Sequence, residues 1–142
     1  MKAINETEIR TESRSVNESY ARVCAAAFIA QLDPDIEELS DIKTAVSEAV
    51  TNCIVHAYPD RVGMIYIKIS IFESRRIRIK IKDKGCGIPD VKKAMEPLFT
   101  TLGEERAGLG FAVMESFCDK VKVKSAPGKG TTVTLEKMLS AK

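Results

Sequence analysis

The sequence predicts an α+β fold, a two-layer sandwich with helices on one face of a mixed, mostly antiparallel sheet. Three observations carry that prediction. From Ile36 to Ala57 the apolar residues Ile36, Leu39, Ile42, Ala45, Val46, Ala49, Val50, Cys53 and Ala57 recur at helical spacing. The period then drops to two, with Ile65, Ile67, Ile69 and Ile71 followed by Ile77, Ile79 and Ile81. Helical segments precede a run of strands joined by short turns, an order that places the helices together against one sheet face.

The elements follow in chain order. Residues 4–12 alternate weakly around Ile4 and Ile9 and predict an edge strand. Ser15 with Glu18 three residues later has the form of a capping box. The helix it opens carries Val16, Tyr20, Val23, Cys24, Ala27, Phe28 and Leu32 on the side expected to face the core. Asp33-Pro34 offers an N-cap and a first-position proline for a second helix, which ends near Tyr58-Pro59 because a residue before proline is pushed out of the helical region. Glu73-Ser74-Arg75 turns the isoleucine strands into a hairpin whose other face carries Arg76, Arg78, Lys80 and Lys82. That basic row is read as a solvated sheet face, since no aromatic platform interleaves with it for single-stranded nucleic acid. Residues 90–108 look irregular, a length that is usually functional in so small a domain. Gly108-Leu109-Gly110 is expected to open a helix carrying Phe111, Val113, Met114, Phe117 and Cys118. A last hairpin pairs Val121 and Val123 with Val133 and Leu135 across the turn 125–130.

With 142 residues and 44% hydrophobic content, the chain has the size and composition of one domain, residues 1–142. A net charge of +2 is too small to point to nucleic acid by itself. No apolar run reaches membrane-span length and the N-terminus lacks a signal-peptide core, so a cytoplasmic location is expected. The four cysteines, Cys24, Cys53, Cys86 and Cys118, are about thirty residues apart and make no metal-ligand spacing, so they read as reduced structural thiols.

The chemistry-bearing residues begin on the second helix. Glu48, Asn52 and His56 are four apart and form a row beside the apolar stripe. Such a row is either a solvated polar face or the wall of a cleft. Three glycine-bearing stations follow: Asp83-x-Gly85-x-Gly87, Gly108-x-Gly110, and Gly130-Thr131-Thr132. A carboxylate at a strand end can accept a hydrogen bond from an exocyclic amine, and glycines let a planar base approach the backbone. Glycines at a helix start leave N–H groups pointing at phosphates. A neutral carboxamide such as Asn52 suits Mg²⁺, which takes few protein ligands, and Glu48 one turn earlier can accept a proton. Singly, each station is most often only a turn.

Taken together in this order, Glu48-x-x-x-Asn52, Asp83-x-Gly85-x-Gly87, Gly108-x-Gly110 and Gly130-Thr131-Thr132 resemble the four boxes of the ATP-binding fold shared by gyrase, Hsp90, histidine kinases and MutL. Residues 17–23, 28–34, 46–52 and 97–101 are in addition similar to the anti-sigma F factors of endospore-forming bacteria, over nearly the whole chain. The resemblance implies a serine kinase that also holds a sigma factor of the sigma F type, with an anti-anti-sigma protein as its serine substrate. By carry-over, Asp83 would read the adenine amino group of ATP, with Gly85, Gly87 and Thr132 around the base. Asn52 would bind Mg²⁺ and Glu48 would take the serine proton. Thr100 and Thr101 would belong to the ATP lid. Arg106 would contact the γ-phosphate, and the Gly108, Leu109 and Gly110 backbone would hold phosphates. It also implies a homodimer through the N-terminal strand and helix region.

Two positions depart from the family pattern: Leu102-Gly103 stands where a Lys-Pro commonly follows the lid threonines, and Ala57 stands where glycine is expected. Glu18 and Arg22, on the outward side of the first helix, are either a docking patch or an exposed intrahelical ion pair. His56 is read as a packed, hydrogen-bonded histidine beside the core and not as a phosphorylation site. The alternatives kept open are an anti-sigma kinase of the general stress response, a histidine-kinase catalytic domain, a gyrase-type module and an ATP-dependent binding protein without kinase activity. A glutamate at position 48 argues against the histidine kinase, which usually carries asparagine there.

Overall fold

The structure is a computed structural model describing residues 2–88 and 105–141, with side chains of the second part described from Phe111 onward. The expected sandwich is present. Strand β1 (Asn5–Glu12) precedes helices α1 (Val16–Ile29) and α2 (Ile36–Asn52). Strands β2 (Met64–Phe72) and β3 (Arg76–Asp83), helix α3 (Glu105–Phe117) and strands β4 (Lys120–Ala126) and β5 (Gly130–Met138) follow. The sheet order is β1-β2-β3-β5-β4, with antiparallel pairing at every step. Strand β1 is an edge strand, as its weak alternation predicts.

Alternation places Ile65, Ile67, Ile69, Ile71, Ile77, Ile79 and Ile81 on one face with Val133 and Leu135, all buried. Ile42, Ala45, Val46, Ala49 and Val50 of α2 meet them, and Phe111 and Met114 of α3 close the core. Burying aliphatic side chains of this size stabilises by roughly 1.5–3 kcal/mol each relative to exposure, so the isoleucine face accounts for much of the driving force. The opposite face carries the basic row. Its Arg78 pairs with Glu136 at 3.0 Å and lies over the Phe72 ring, while Arg10 and Lys84 lie over Tyr66. Both rings are thus covered by cations.

The helix starts differ from the sequence expectation. Ser15 has helical backbone angles and its side chain makes no capping bond. The capping box forms instead on α2: Asp35 Oδ1 accepts from the Glu38 N–H at 2.7 Å and Glu38 Oε1 accepts from the Asp35 N–H at 3.2 Å. Asp33 is not the cap but a left-handed residue (φ 49) closing the turn after α1. The reason is local. Asp35 is extended and free to turn its carboxylate onto α2, whereas Ser15 is already wound into the helix.

Helix α1 also buries a different side from the one expected. Ala21, Ala25 and Ile29 are buried, with Phe28 and Leu32 packed partly against the core. Val16, Tyr20 and Val23 are 75%, 51% and 57% exposed, and Ala27 is exposed beside them. An alanine stripe lets α1 approach α2 closely, which leaves the larger apolar residues outward. All four cysteines are free thiols, and burial pushes Cys118 up to about 11.

Candidate active site

Helix α2 is α-helical through Asn52, so Glu48 and Asn52 stand one turn apart on one face. Glu48 is half-buried and makes no hydrogen bond or ion pair among the described residues. Both side-chain amide atoms of Asn52 are shielded from solvent and have no hydrogen-bond partner among the described residues. A buried amide without partners costs about 1–3 kcal/mol per unsatisfied group, a cost that a bound ligand or metal would relieve. The third member of the row, His56, lies in a different kind of turn. Residues Cys53–Ala57 wind as a π-helical turn, closed by the Tyr58 N–H on the Cys53 carbonyl at 3.2 Å. The wider turn changes the helical phase between Asn52 and Tyr58. His56 is half-buried, and its carbonyl accepts the Cys86 S–H at 3.1 Å. Turns of this kind often mark functional sites. The helical run ends at Ala57 with Tyr58 as its cap, next to Pro59, as the sequence predicts.

Asp83 sits at the inward-facing end of β3 and is 4% exposed. Its Oδ1 accepts the Gly85 N–H at 2.9 Å and the Thr131 N–H at 3.2 Å, and its Oδ2 accepts the Cys53 S–H at 3.6 Å. Burial pushes the Asp83 carboxyl above the usual aspartate range, and these three donors counteract the shift. Burial pushes the Cys53 thiol well above its ordinary value, so it remains S–H. Cys53 follows Asn52 directly, and this bond therefore ties the α2 residues to the strand-end carboxylate.

Tyr58 secures the loop that follows: its hydroxyl accepts from the Lys84 N–H at 2.6 Å and donates to the Met64 carbonyl at 2.9 Å. Gly85 is there because a Cβ would lie 2.3 Å from the Ala57 carbonyl oxygen. Gly87 has φ +77, and a Cβ on it would meet the Ala126 carbonyl. Both glycines are therefore already required by contacts within the protein. The loop is further pinned by the Cys86 N–H on the Ala57 carbonyl at 3.1 Å, the Ile88 N–H on Ser125 Oγ at 2.7 Å and the Gly128 N–H on the Cys86 carbonyl at 2.7 Å.

Other expected site residues lie elsewhere. Thr132 stands opposite Lys82 and Lys124, on the sheet face away from the helices, while its neighbour Thr131 pairs with Asp83 on the helix side. Thr131 and Cys53 escaped the sequence reading. The β3–β5 register and the bond across the core reveal them, and only pairing Asp83 with the first threonine of the last box would have found Thr131. Helix α3 starts at Glu105, so Gly108, Leu109 and Gly110 lie within its early turns and not at its opening. Glu105, Arg106 and Ala107 are good helix formers and carry the start back. Arg106 is in the first turn of α3. Thr100, Thr101 and the Leu102-Gly103 departure fall outside the described residues. Glu18 and Arg22 form an intrahelical pair at 3.9 Å, and Arg22 also donates to Ser19 Oγ at 3.1 Å.

Residues 10–137 match the family of histidine kinase-like ATPase domains. The chain is 57% identical over 136 residues to the anti-sigma F factor of Caldanaerobacter subterraneus subsp. tengcongensis, covering 95% of this chain and 94% of that protein. The chain belongs to the anti-sigma F factor family. Other members include the anti-sigma F factor of Thermoanaerobacter pseudethanolicus, 55% identical over 99% of both chains, and that of Geobacillus kaustophilus, 51% identical over 96% of this chain and 94% of that one. The same fold occurs in the structure of the RsbU and RsbW domains of a Mycobacterium tuberculosis protein, with a TM-score of 0.72 and 21% identity, covering 97% of this chain and 33% of that one. The histidine kinase domain of the Erythrobacter litoralis blue-light-activated kinase matches at a TM-score of 0.57 and 24% identity, over 86% of this chain and 60% of that one. Membership brings the ATPase-type domain with it, and no helix among the described residues is long and apolar enough to cross a membrane.

Proposed function

We propose that this family member is an ATP-dependent protein serine kinase that also binds and inhibits a sigma F-type factor in the cytoplasm. Its serine substrate is the anti-anti-sigma antagonist of that factor. The observation that carries the reading is the Asn52 amide, enclosed and without a hydrogen-bond partner among the described residues, one turn from Glu48 and linked through Cys53 to Asp83. Those residues fit Mg-ATP: Asn52 would hold Mg²⁺, and Asp83 would accept from the adenine amine, with Thr131, Gly85 and Gly87 framing that end. Thr132, on the far side of the sheet strand, supports this end through β5. Arg106, Gly108, Leu109, Gly110, Thr100 and Thr101 are assigned to the phosphates and lid by family likeness.

ATP supplies the γ-phosphoryl group, and Mg²⁺ neutralises charge on the phosphates. The protein's part is positioning and proton transfer. Glu48 accepts the substrate's serine proton as the new serine oxygen–phosphorus bond forms and the bond from the γ-phosphorus to the ADP oxygen breaks. A carboxamide cannot take that proton. Glu48→Gln is therefore expected to lower phosphotransfer to the antagonist by at least about a hundredfold while ATP affinity stays within a few-fold. Undiminished transfer would remove Glu48 from its role.

The exposed Val16, Tyr20 and Val23 on α1 support a partner surface there. We assign it to a homodimer built through α1 and the neighbouring edge strand β1, leaving Glu18 and Arg22 at its margin for the sigma factor or the antagonist. The sigma F names of relatives at 51–57% identity support the sporulation-type partner over the general stress response.

A further inference from the structure

The thiol of Cys53 has a place in the site that the adenine reading does not use. It is 4% exposed, directly follows Asn52, and points across the core to Asp83 Oδ2 at 3.6 Å. The two oxygens of Asp83 are unequally engaged. Oδ1 takes two backbone N–H groups, from Gly85 and Thr131, while Oδ2 takes only the thiol. A carboxylate offers about four acceptor positions, so three are filled from inside the protein and one, on Oδ2, is left.

We propose that Cys53 is a positioning residue for purine selection: its S–H holds Asp83 so that a single acceptor remains for the 6-position of the base. This inference rests on the assignment of Asp83 to the adenine amine. A carboxylate held in this way meets the N–H of a 6-amino purine favourably and the oxygen of a 6-oxo purine unfavourably, because two acceptors then face each other. Without the thiol, Oδ2 has a vacant inner position, and only the two N–H groups on Oδ1 restrain rotation of the carboxyl group. The Oδ2 acceptor is less firmly aimed, and selection for the amine weakens. Serine keeps a donor at the same atom with a shorter reach, whereas alanine removes it.

The test is equilibrium binding of three triphosphates by wild type, Cys53→Ala and Cys53→Ser, each first verified as folded by its urea midpoint. ATP carries the amine, inosine triphosphate carries the 6-oxygen, and purine riboside triphosphate carries only hydrogen at that position. Cys53→Ala is expected to weaken ATP by about tenfold and to leave purine riboside triphosphate within twofold. Its preference for ATP over inosine triphosphate narrows accordingly, and Cys53→Ser recovers most of the loss. Equal weakening of ATP and purine riboside triphosphate, or no weakening of either, would overturn the role of Cys53. If wild type itself binds ATP and purine riboside triphosphate equally well, the adenine assignment of Asp83 fails, and this inference with it.

Discussion

Asp83 shows how much of the site is decided by backbone contacts. Its Oδ1 is held by two N–H groups, and the loop that supplies one of them exists only because Gly85 can lie on the Ala57 carbonyl. Gly85→Ala would push a methyl to 2.3 Å from that oxygen. We expect it to cost about 2–3 kcal/mol, as overpacking against fixed backbone does, read as a shift in urea midpoint without a change in slope. Asp83→Asn tests the acceptor itself. The asparagine can keep Oδ1 on the two N–H groups, but its amide nitrogen then replaces Oδ2 and cannot accept from an amine. ATP affinity is expected to fall about ten- to a hundredfold with stability little changed, and unchanged affinity by calorimetry would remove the assignment. Asp83 and Gly85 were legible in the sequence as a strand-end carboxylate and its following glycine. Thr131 and Cys53 were not, because strand register and a contact across the core join residues 48 and 30 positions apart.

At the scale of elements, the two long N-terminal helices begin in different ways, and their caps separate by mutation. Asp35→Ala removes the side-chain half of a formed capping box, leaving the Glu38 carboxylate on the backbone N–H, and is expected to cost about 1 kcal/mol. Ser15→Ala removes no capping bond and is expected to be near neutral, and thermal melts of the pair distinguish the two. Glu38 has a second role. Its Oε2 accepts the Ser140 N–H at 2.7 Å, which holds the C-terminal segment on α2 and keeps the Glu38 carboxyl below the usual range. Because the folded value is lowered, its contribution is complete above the ordinary glutamate range and is lost as pH falls through the folded value. Glu38→Gln should therefore narrow the stability difference between neutral and acidic pH, measured as urea midpoints across that interval. The helix periods themselves were legible, but the π-helical turn after Asn52 was not. Periodicity assigned one continuous row to Glu48, Asn52 and His56, and only the Tyr58–Cys53 bond reveals the added residue in the turn.

For the whole molecule, the outward apolar stripe of α1 is the feature that a single chain does not account for. Val16, Tyr20 and Val23 lie on a helix whose alanines already satisfy the core. Placing a charge there should leave the fold intact and break a dimer. Val23→Glu is expected to convert a dimer to a monomer in sedimentation at micromolar concentration while ATP binding persists. A wild type that sediments as a monomer would remove the α1 assignment. The first helix was legible as amphipathic, but not which side faces inward. Both sides carry apolar residues, and the choice depends on how closely α2 can approach.

The sequence by itself determined the sandwich and its isoleucine face, because period-two and period-3.6 patterns bury only one way against each other. It also marked Glu48, Asn52 and Asp83 as the candidate site, from a helical spacing of four and a carboxylate at a strand end. The tertiary structure alone decided which groups meet. Asp83 accepts from the thiol of Cys53 and the N–H of Thr131, the turn after Asn52 is π-helical, and α1 shows its valines to solvent. These outcomes follow from register, a one-residue change in helical phase and the approach distance of two helices. All three are set by packing between distant segments and leave no local mark in the chain.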